Sequence, residues 1–133
     1  MYSISKTAYG FRLTFGGFID KAEMTKWVDE SKAALPRVPA RFGVFVDMRT
    51  LKPLPQDTRE IMVQGQQAYK RAGMERSVVI LNDAITTMQF KRLAKESGID
   101  AWERYINAVN MPNWEQAGIA WVSNGIDPDK SAT

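Results

Sequence analysis

Two hydrophobic periods follow each other along this chain, and together they predict its secondary structure. Phe11, Leu13 and Phe15 alternate with polar residues, and a period of two indicates a strand with one buried face. From Met24 onward, apolar residues recur three or four positions apart, which indicates an amphipathic helix. Over residues 2–125 these patterns occur in the order β-β-α-β-α-β-α-β-α, which predicts one α/β domain.

Two continuous apolar runs indicate the centre of the predicted sheet. They are FGVFV at residues 42–46 and SVVIL at residues 77–81. Short apolar runs without alternation are typical of strands that are covered on both faces. The first run is expected to end at Asp47, and a last, short strand is expected at residues 105–108.

Aspartate followed three residues later by glutamate predicts where the first two helices begin. The pattern occurs at Asp20 with Glu23 and again at Asp57 with Glu60, and it resembles the capping box that satisfies the free N–H groups of a first turn. Glycine is the residue that most often ends a helix. The later helices are expected to end at Gly73, Gly98 and Gly125.

The composition excludes several kinds of chemistry. The chain has no cysteine and no histidine, so disulfides, thiolate metal sites and catalysis by imidazole are excluded. It also has no glycine-rich phosphate loop and no dinucleotide-binding motif. We therefore expect no metal, no cofactor and no enzymatic activity.

The length and the net charge of the chain indicate its domain organisation and its possible partners. The 133 residues suit one domain, which is expected at 1–125 with a flexible C-terminal tail at 126–133. The net charge is only +3, so nucleic acid is not an expected partner. There is no signal-like start and no apolar run of the roughly 20 residues that span a bilayer, so we expect a cytoplasmic protein without a membrane span.

Three segments carry a resemblance to a known family. They are FGVFVDMRTL, SVVILND and RYINAVNMPNWEQAGIAWV, and the last contains Tyr105, then Glu115, then Ala120, Trp121 and Val122. With the order of elements, they resemble the STAS-like domains related to the anti-sigma-factor antagonists of bacterial sporulation. The resemblance implies a small mixed β-sheet with about four helices packed largely on one side. It also implies no obligatory cofactor and a role in protein interaction or apolar-ligand binding.

The same resemblance marks Thr58 as a candidate regulatory position. The anti-sigma antagonists place a phosphorylatable serine at the start of the helix that follows the second long strand, and here that place reads Asp57-Thr58-Arg59-Glu60. A phosphate on Thr58 would be favoured by the helix N-terminus but repelled by the two acidic neighbours. Simple helix capping is the alternative explanation of these residues.

Polar residues after the two central strands form a candidate ligand crevice. Asp47, Arg49, Asn82 and Asp83 are expected to lie together at the carboxyl ends of these strands, which is where open α/β sheets bind ligands. Asp and Asn at strand ends also form turns and helix caps. A carboxylate-based enzyme that uses Asp47 and Asp83 is the minor alternative.

Apolar residues of the second and third helices extend beyond a single stripe. Met62, Tyr69 and Phe90 are therefore candidate contacts in a homodimer or with an apolar ligand. The leading hypothesis is a non-enzymatic bacterial STAS-like module that binds a second copy or a regulatory protein. A carrier or sensor of an apolar small molecule, such as a lipid or fatty acid, is the alternative.

Overall fold

The order of strands and helices predicted from the sequence is confirmed by the computed structural model, which describes residues 1–130. One five-stranded sheet and four α-helices form an α/β fold. The elements are β1 (Tyr2–Lys6), β2 (Gly10–Gly17), α1 (Lys21–Ala34), β3 (Phe42–Leu51), α2 (Gln56–Ala72), β4 (Met74–Leu81), α3 (Ala84–Ser97), β5 (Glu103–Asn107) and α4 (Trp114–Asn124). A 3₁₀ turn at Leu35–Arg37 follows α1.

The sheet is mixed, and its strands lie in sequence order. β1 pairs with β2 in the antiparallel sense, and β2, β3, β4 and β5 are parallel. Each parallel step is made by one helix, and such crossovers are almost always right-handed. Because the strand order advances in one direction, α1, α2 and α3 share one face of the sheet. α4 packs on the opposite face, so the helices lie largely on one side, as predicted.

The two faces have separate apolar cores. Phe15 of β2 packs in the larger core with Trp27 of α1 and Phe90 of α3. The smaller core lies under α4 and includes Phe45 and Trp121. The residues that alternate with Phe11, Leu13 and Phe15 are only partly buried, which confirms the predicted half-buried strand.

Helix ends agree with the sequence at some points and differ at others. The Asp20 side chain accepts a hydrogen bond from the Glu23 N–H at 2.9 Å, as predicted. Gly73, Gly98 and Gly125 end their helices with positive φ angles. The capping box predicted at Asp57 is wrong, because α2 already begins at Gln56. The Pro55 carbonyl accepts the Arg59 N–H at 2.9 Å, so the helix starts two residues earlier than predicted.

The predicted end of β3 and the predicted start of β5 are wrong, and the first error changes the position of Asp47. β3 continues to Leu51, because Met48 and Leu51 remain buried and Leu51 still pairs with Gly17. Asp47 therefore lies inside a strand and not at its end. β5 begins at Glu103, two residues before the predicted start.

Part of the predicted flexible tail is attached to the domain. The Asp127 carboxylate accepts two hydrogen bonds from the Arg104 guanidinium, at 2.9 and 3.2 Å. Residues 131–133 of the predicted tail lie outside the described residues. Within residues 1–130, no helix combines the length and the apolar character needed to cross a membrane.

Candidate functional site

Asp47 and Arg49 form an ion pair on the face of the sheet that α4 covers. The Asp47 carboxylate accepts hydrogen bonds from Arg49 Nε at 3.0 Å and from Arg49 Nη2 at 2.9 Å. The Arg49 guanidinium also lies over the Trp114 ring, 4.2 Å from its centre. Burial opposes the charge of Asp47, but its hydrogen bonds from Arg49 outweigh burial and keep the pKa of Asp47 below its ordinary value.

The predicted crevice is only partly assembled. Asn82 joins the pair, since its amide donates to the Arg49 carbonyl at 3.2 Å. Asp83 instead caps α3 on the other face of the sheet: it accepts the Ile85 N–H at 2.8 Å and a hydrogen bond from the Thr86 hydroxyl. That hydroxyl is the main reason why the pKa of Asp83 is lowered. Each carboxylate is thus engaged separately, in a salt bridge or in a helix cap.

No constellation of candidate metal ligands occurs in residues 1–130, since no group of three or more Asp or Glu side chains converges there. Asp47 and Asp83 share no hydrogen bond that would couple their protonation states.

Thr58 is fully buried in the first turn of α2. Its N–H donates to the Asp57 carboxylate at 2.8 Å, and its hydroxyl points to the same oxygen at 3.4 Å. A kinase would have to unfold this turn to reach the hydroxyl. The placement favours the capping and packing explanation of Thr58 over the regulatory one.

The prediction that Met62, Tyr69 and Phe90 are exposed interface residues is wrong. All three are buried in the larger core, and Phe90 is 0% exposed. The exposed face of α3 carries Ile85 and Met88 instead. Apolar residues occur on both sides of this helix, so its sequence alone did not identify the side that meets the sheet.

The three residues nevertheless lie together around one internal cavity. This cavity has a volume of about 30 Å³ and is lined by residues of β2, β3, β4 and β5 and of the three helices on the same face. Apolar side chains form most of its wall, including Met62, Tyr69 and Phe90. Its volume is enough for one or two water molecules.

Glu103 is the unexpected polar group in the wall of this cavity. It is buried at the start of β5 and accepts hydrogen bonds from the Ser77 hydroxyl at 3.0 Å and the Tyr105 hydroxyl at 2.6 Å. Burial raises the pKa of Glu103 to about 7, although both hydroxyls partly offset this effect. The Tyr105 hydroxyl is also 3.1 Å from the Phe90 carbonyl, so it links the acid to α3.

Sequence reasoning missed Glu103 because it placed the start of the last strand at Tyr105. A detectable signal was present: Glu103 and Tyr105 are two positions apart and so share one face of a strand. Two more polar groups belong to this core. Gln66 accepts a hydrogen bond from the Ser97 hydroxyl at 2.8 Å, and the buried Trp27 N–H has no hydrogen-bond partner within residues 1–130.

A surface feature lies at the end of the sheet where the parallel strands have their carboxyl ends. Four large apolar side chains there are between 65% and 70% exposed. Phe18 follows β2, Ile85 and Met88 are in the first turns of α3 after β4, and Val109 follows β5. We call these four residues the carboxyl-end surface.

Comparisons of the chain with protein-family models, with curated proteins and with solved structures found no match.

Proposed function

We propose that this chain is a STAS-like protein-interaction module that acts by contact and not by catalysis, and that it binds a second copy of itself through the carboxyl-end surface. The observation that carries the proposal is the gathering of Phe18, Ile85, Met88 and Val109 at one end of the sheet. Single exposed apolar residues are ordinary, but several at one end of a small domain are typical of an interaction site.

The energetic argument supports this surface over the helix faces that the sequence suggested. Met62, Tyr69 and Phe90 are already buried within one copy, so they have no apolar area left to bury against a partner. The four residues of the carboxyl-end surface retain about two thirds of theirs. Removing each of these side chains from water would contribute about 1 to 2 kcal/mol. A two-fold dimer would use the same four residues twice.

Sedimentation of matched variants tests the proposal. Wild-type protein is expected to form dimers at high micromolar concentration, and Met88→Glu is expected to remain a folded monomer. Ile126→Glu is the control, because Ile126 is 62% exposed and lies after α4, at the other end of the sheet. A monomeric wild type, or equal loss of dimers in both variants, would overturn the proposed surface.

A second candidate function is the carrier or sensor of an apolar ligand. The observation that favours it is the internal cavity, whose wall contains the residues predicted as ligand contacts. Ligand sites usually have volumes of about 300 Å³ or more, so α3 would have to move away from the sheet to admit a lipid or fatty acid. Native mass spectrometry of the purified protein tests this function: a reproducible co-purified lipid mass would favour it over the interaction module.

A further inference from the structure

Three grooves meet at the opposite end of the sheet, around the 3₁₀ turn that follows α1. The first lies between β1 and α1 and has a volume of about 510 Å³. The second lies between α1 and α2 and has a volume of about 530 Å³. The third lies beside the β1–β2 turn and has a volume of about 230 Å³. Val38 lines all three grooves, so we call them together the amino-end grooves.

The rims of these grooves carry positive charge. The exposed cations along them are Lys6, Lys32, Arg37, Arg41 and Arg71. None of the five forms a salt bridge within residues 1–130. The one acidic side chain on the rims is Glu30, which accepts a hydrogen bond from the Tyr2 hydroxyl at 2.6 Å.

Favourable interaction with a helix dipole explains the positions of only some of these cations. Lys32 and Arg71 lie in the last turns of α1 and α2, where cations are ordinarily favourable. Lys6 and Arg41 lie outside any helix. Arg41 also has a φ of 67°, a left-handed conformation that costs a residue with a side chain about 1 to 2 kcal/mol. A cation is thus held at the rim in a backbone conformation that would suit glycine better.

The first groove runs along an unpaired strand edge. β1 pairs with β2 on one side, so the backbone groups of its outer side are free to bind another strand. Ile4 and Phe11 line the sheet side of this groove, and Ala33 and Ala34 line its helix side. An extended segment added to β1 would direct every second side chain toward these apolar groups.

We propose that the amino-end grooves bind an acidic, extended segment of a partner protein, which adds to β1 as a strand and pairs its carboxylates with Lys6 and Arg37. A second copy of this chain does not fit here, because it would bring the same unpaired cations to the contact. A membrane is a poorer fit, since Phe11 and Leu35 are buried at the groove floors and cannot enter a bilayer. This site is separate from the carboxyl-end surface and does not depend on it.

Fluorescence anisotropy with defined peptides tests the site. The probe is a short labelled peptide in which every second residue is serine and the residues between are valine and glutamate in turn, so that valine and glutamate share the strand face that meets the groove. Its counterpart has lysine in place of glutamate. Wild-type protein is expected to bind the acidic peptide and not the basic one. Lys6→Glu/Arg37→Glu is expected to weaken binding by about tenfold or more, because two attractive contacts become repulsive.

The control variant is Lys21→Glu/Arg92→Glu, which changes the net charge equally at exposed positions outside the amino-end grooves. It should bind the acidic peptide with an affinity within about twofold of wild type, and both variants should unfold at the same temperature as wild type. Amide exchange of residues 3–6 should slow on binding, since an added strand protects β1. Equal weakening in both variants, no protection of β1, or binding only to vesicles that contain phosphatidylserine would each overturn the proposal.

Discussion

At the scale of single residues, the main lesson concerns buried polar groups. The candidates chosen from the sequence were strand-end residues, and Asp47, Arg49 and Asn82 do lie together. The sequence also allowed Asp83 to be a helix cap, because Asp often follows a strand in this role. The structure confirms the cap, since the Asp83 side chain accepts the Ile85 and Thr86 N–H groups. Glu103 could not be found in this way, because its burial results from packing between distant elements.

The Glu103 carboxyl makes stability depend on pH in a direction opposite to that of a salt-bridged acid. Its pKa is about 7 in the folded protein, against an ordinary value of 4.5. The folded state therefore binds the proton more tightly than the unfolded state does. The contribution of the Glu103 proton to the free energy of unfolding is fully present below pH 4.5. It is lost as the pH rises through 7, which lowers the free energy of unfolding by up to about 3 kcal/mol.

Glu103→Gln should remove this pH dependence. The Ser77 and Tyr105 hydroxyls donate to different carboxylate oxygens of Glu103, so the glutamine keeps an oxygen for one hydroxyl and offers its NH2 group as a donor to the other. Urea unfolding at pH 5 and pH 8 measures this difference. The free energy of unfolding of the wild type should fall from pH 5 to pH 8 by more than that of the variant. The chain has no histidine to titrate in this range. Parallel stability changes in the two proteins would contradict the assigned pKa.

Asp83 should behave as a cap and nothing more. Asp83→Asn keeps an oxygen that accepts the Ile85 N–H, so the free energy of unfolding should change by about 1 kcal/mol or less. Asp83→Ala should cost about 1 kcal/mol, because the N–H groups lose their partner. If Asp83→Asn instead abolished a hydrolytic or isomerase activity of the wild type with stability intact, the carboxylate-enzyme alternative would be favoured.

At the scale of elements, strands were easier to predict than helix faces. Phe11, Leu13 and Phe15 are buried as their alternation indicated. In α3, however, apolar residues surround much of the helix, and the sheet buries the side of Phe90 while Met88 is left in water. The choice between these sides depends on where β4 and β5 lie, which the helix sequence does not contain.

A pair of substitutions in α3 tests this assignment. Phe90→Glu should prevent folding, because it places a charge in the larger core without a partner. Met88→Glu should leave the free energy of unfolding within about 0.5 kcal/mol of wild type, as expected at an exposed helix position. Circular dichroism and urea unfolding of both proteins measure these effects. A folded Phe90→Glu protein would show that α3 is oriented differently.

The close contact between α1 and α2 depends on Gly65. A Cβ atom at this position would lie 2.1 Å from a ring carbon of Trp27, so Gly65→Ala should destabilise the protein by about 1 to 3 kcal/mol despite the better helix propensity of alanine. Gln64→Ala, at the exposed neighbouring position, should be neutral or slightly stabilising. Urea unfolding distinguishes the two, and a stabilising Gly65→Ala would contradict this packing.

At the scale of the whole molecule, the two ends of the sheet differ in character. One end carries the exposed apolar residues of the carboxyl-end surface, and the other carries the cations of the amino-end grooves. The order of elements was predictable, because periodicity reports it directly. The contrast between an apolar end and a cationic end could not be predicted from the sequence, because each surface combines segments that are far apart along the chain. The two proposed contacts, with a second copy and with an acidic partner, therefore lie at opposite ends of the sheet.

The central claim, that the carboxyl-end surface is a contact between two copies, is tested most directly by the amide NMR spectrum as a function of protein concentration. Between low and high micromolar concentration, the amide resonances of Phe18, of residues 84–88 and of residues 108–110 should shift or broaden, because these segments carry the four apolar side chains. The amide resonances of Arg37, Val38, Ala40 and Arg41 should not change. A spectrum independent of concentration, or changes confined to these four residues, would contradict the account.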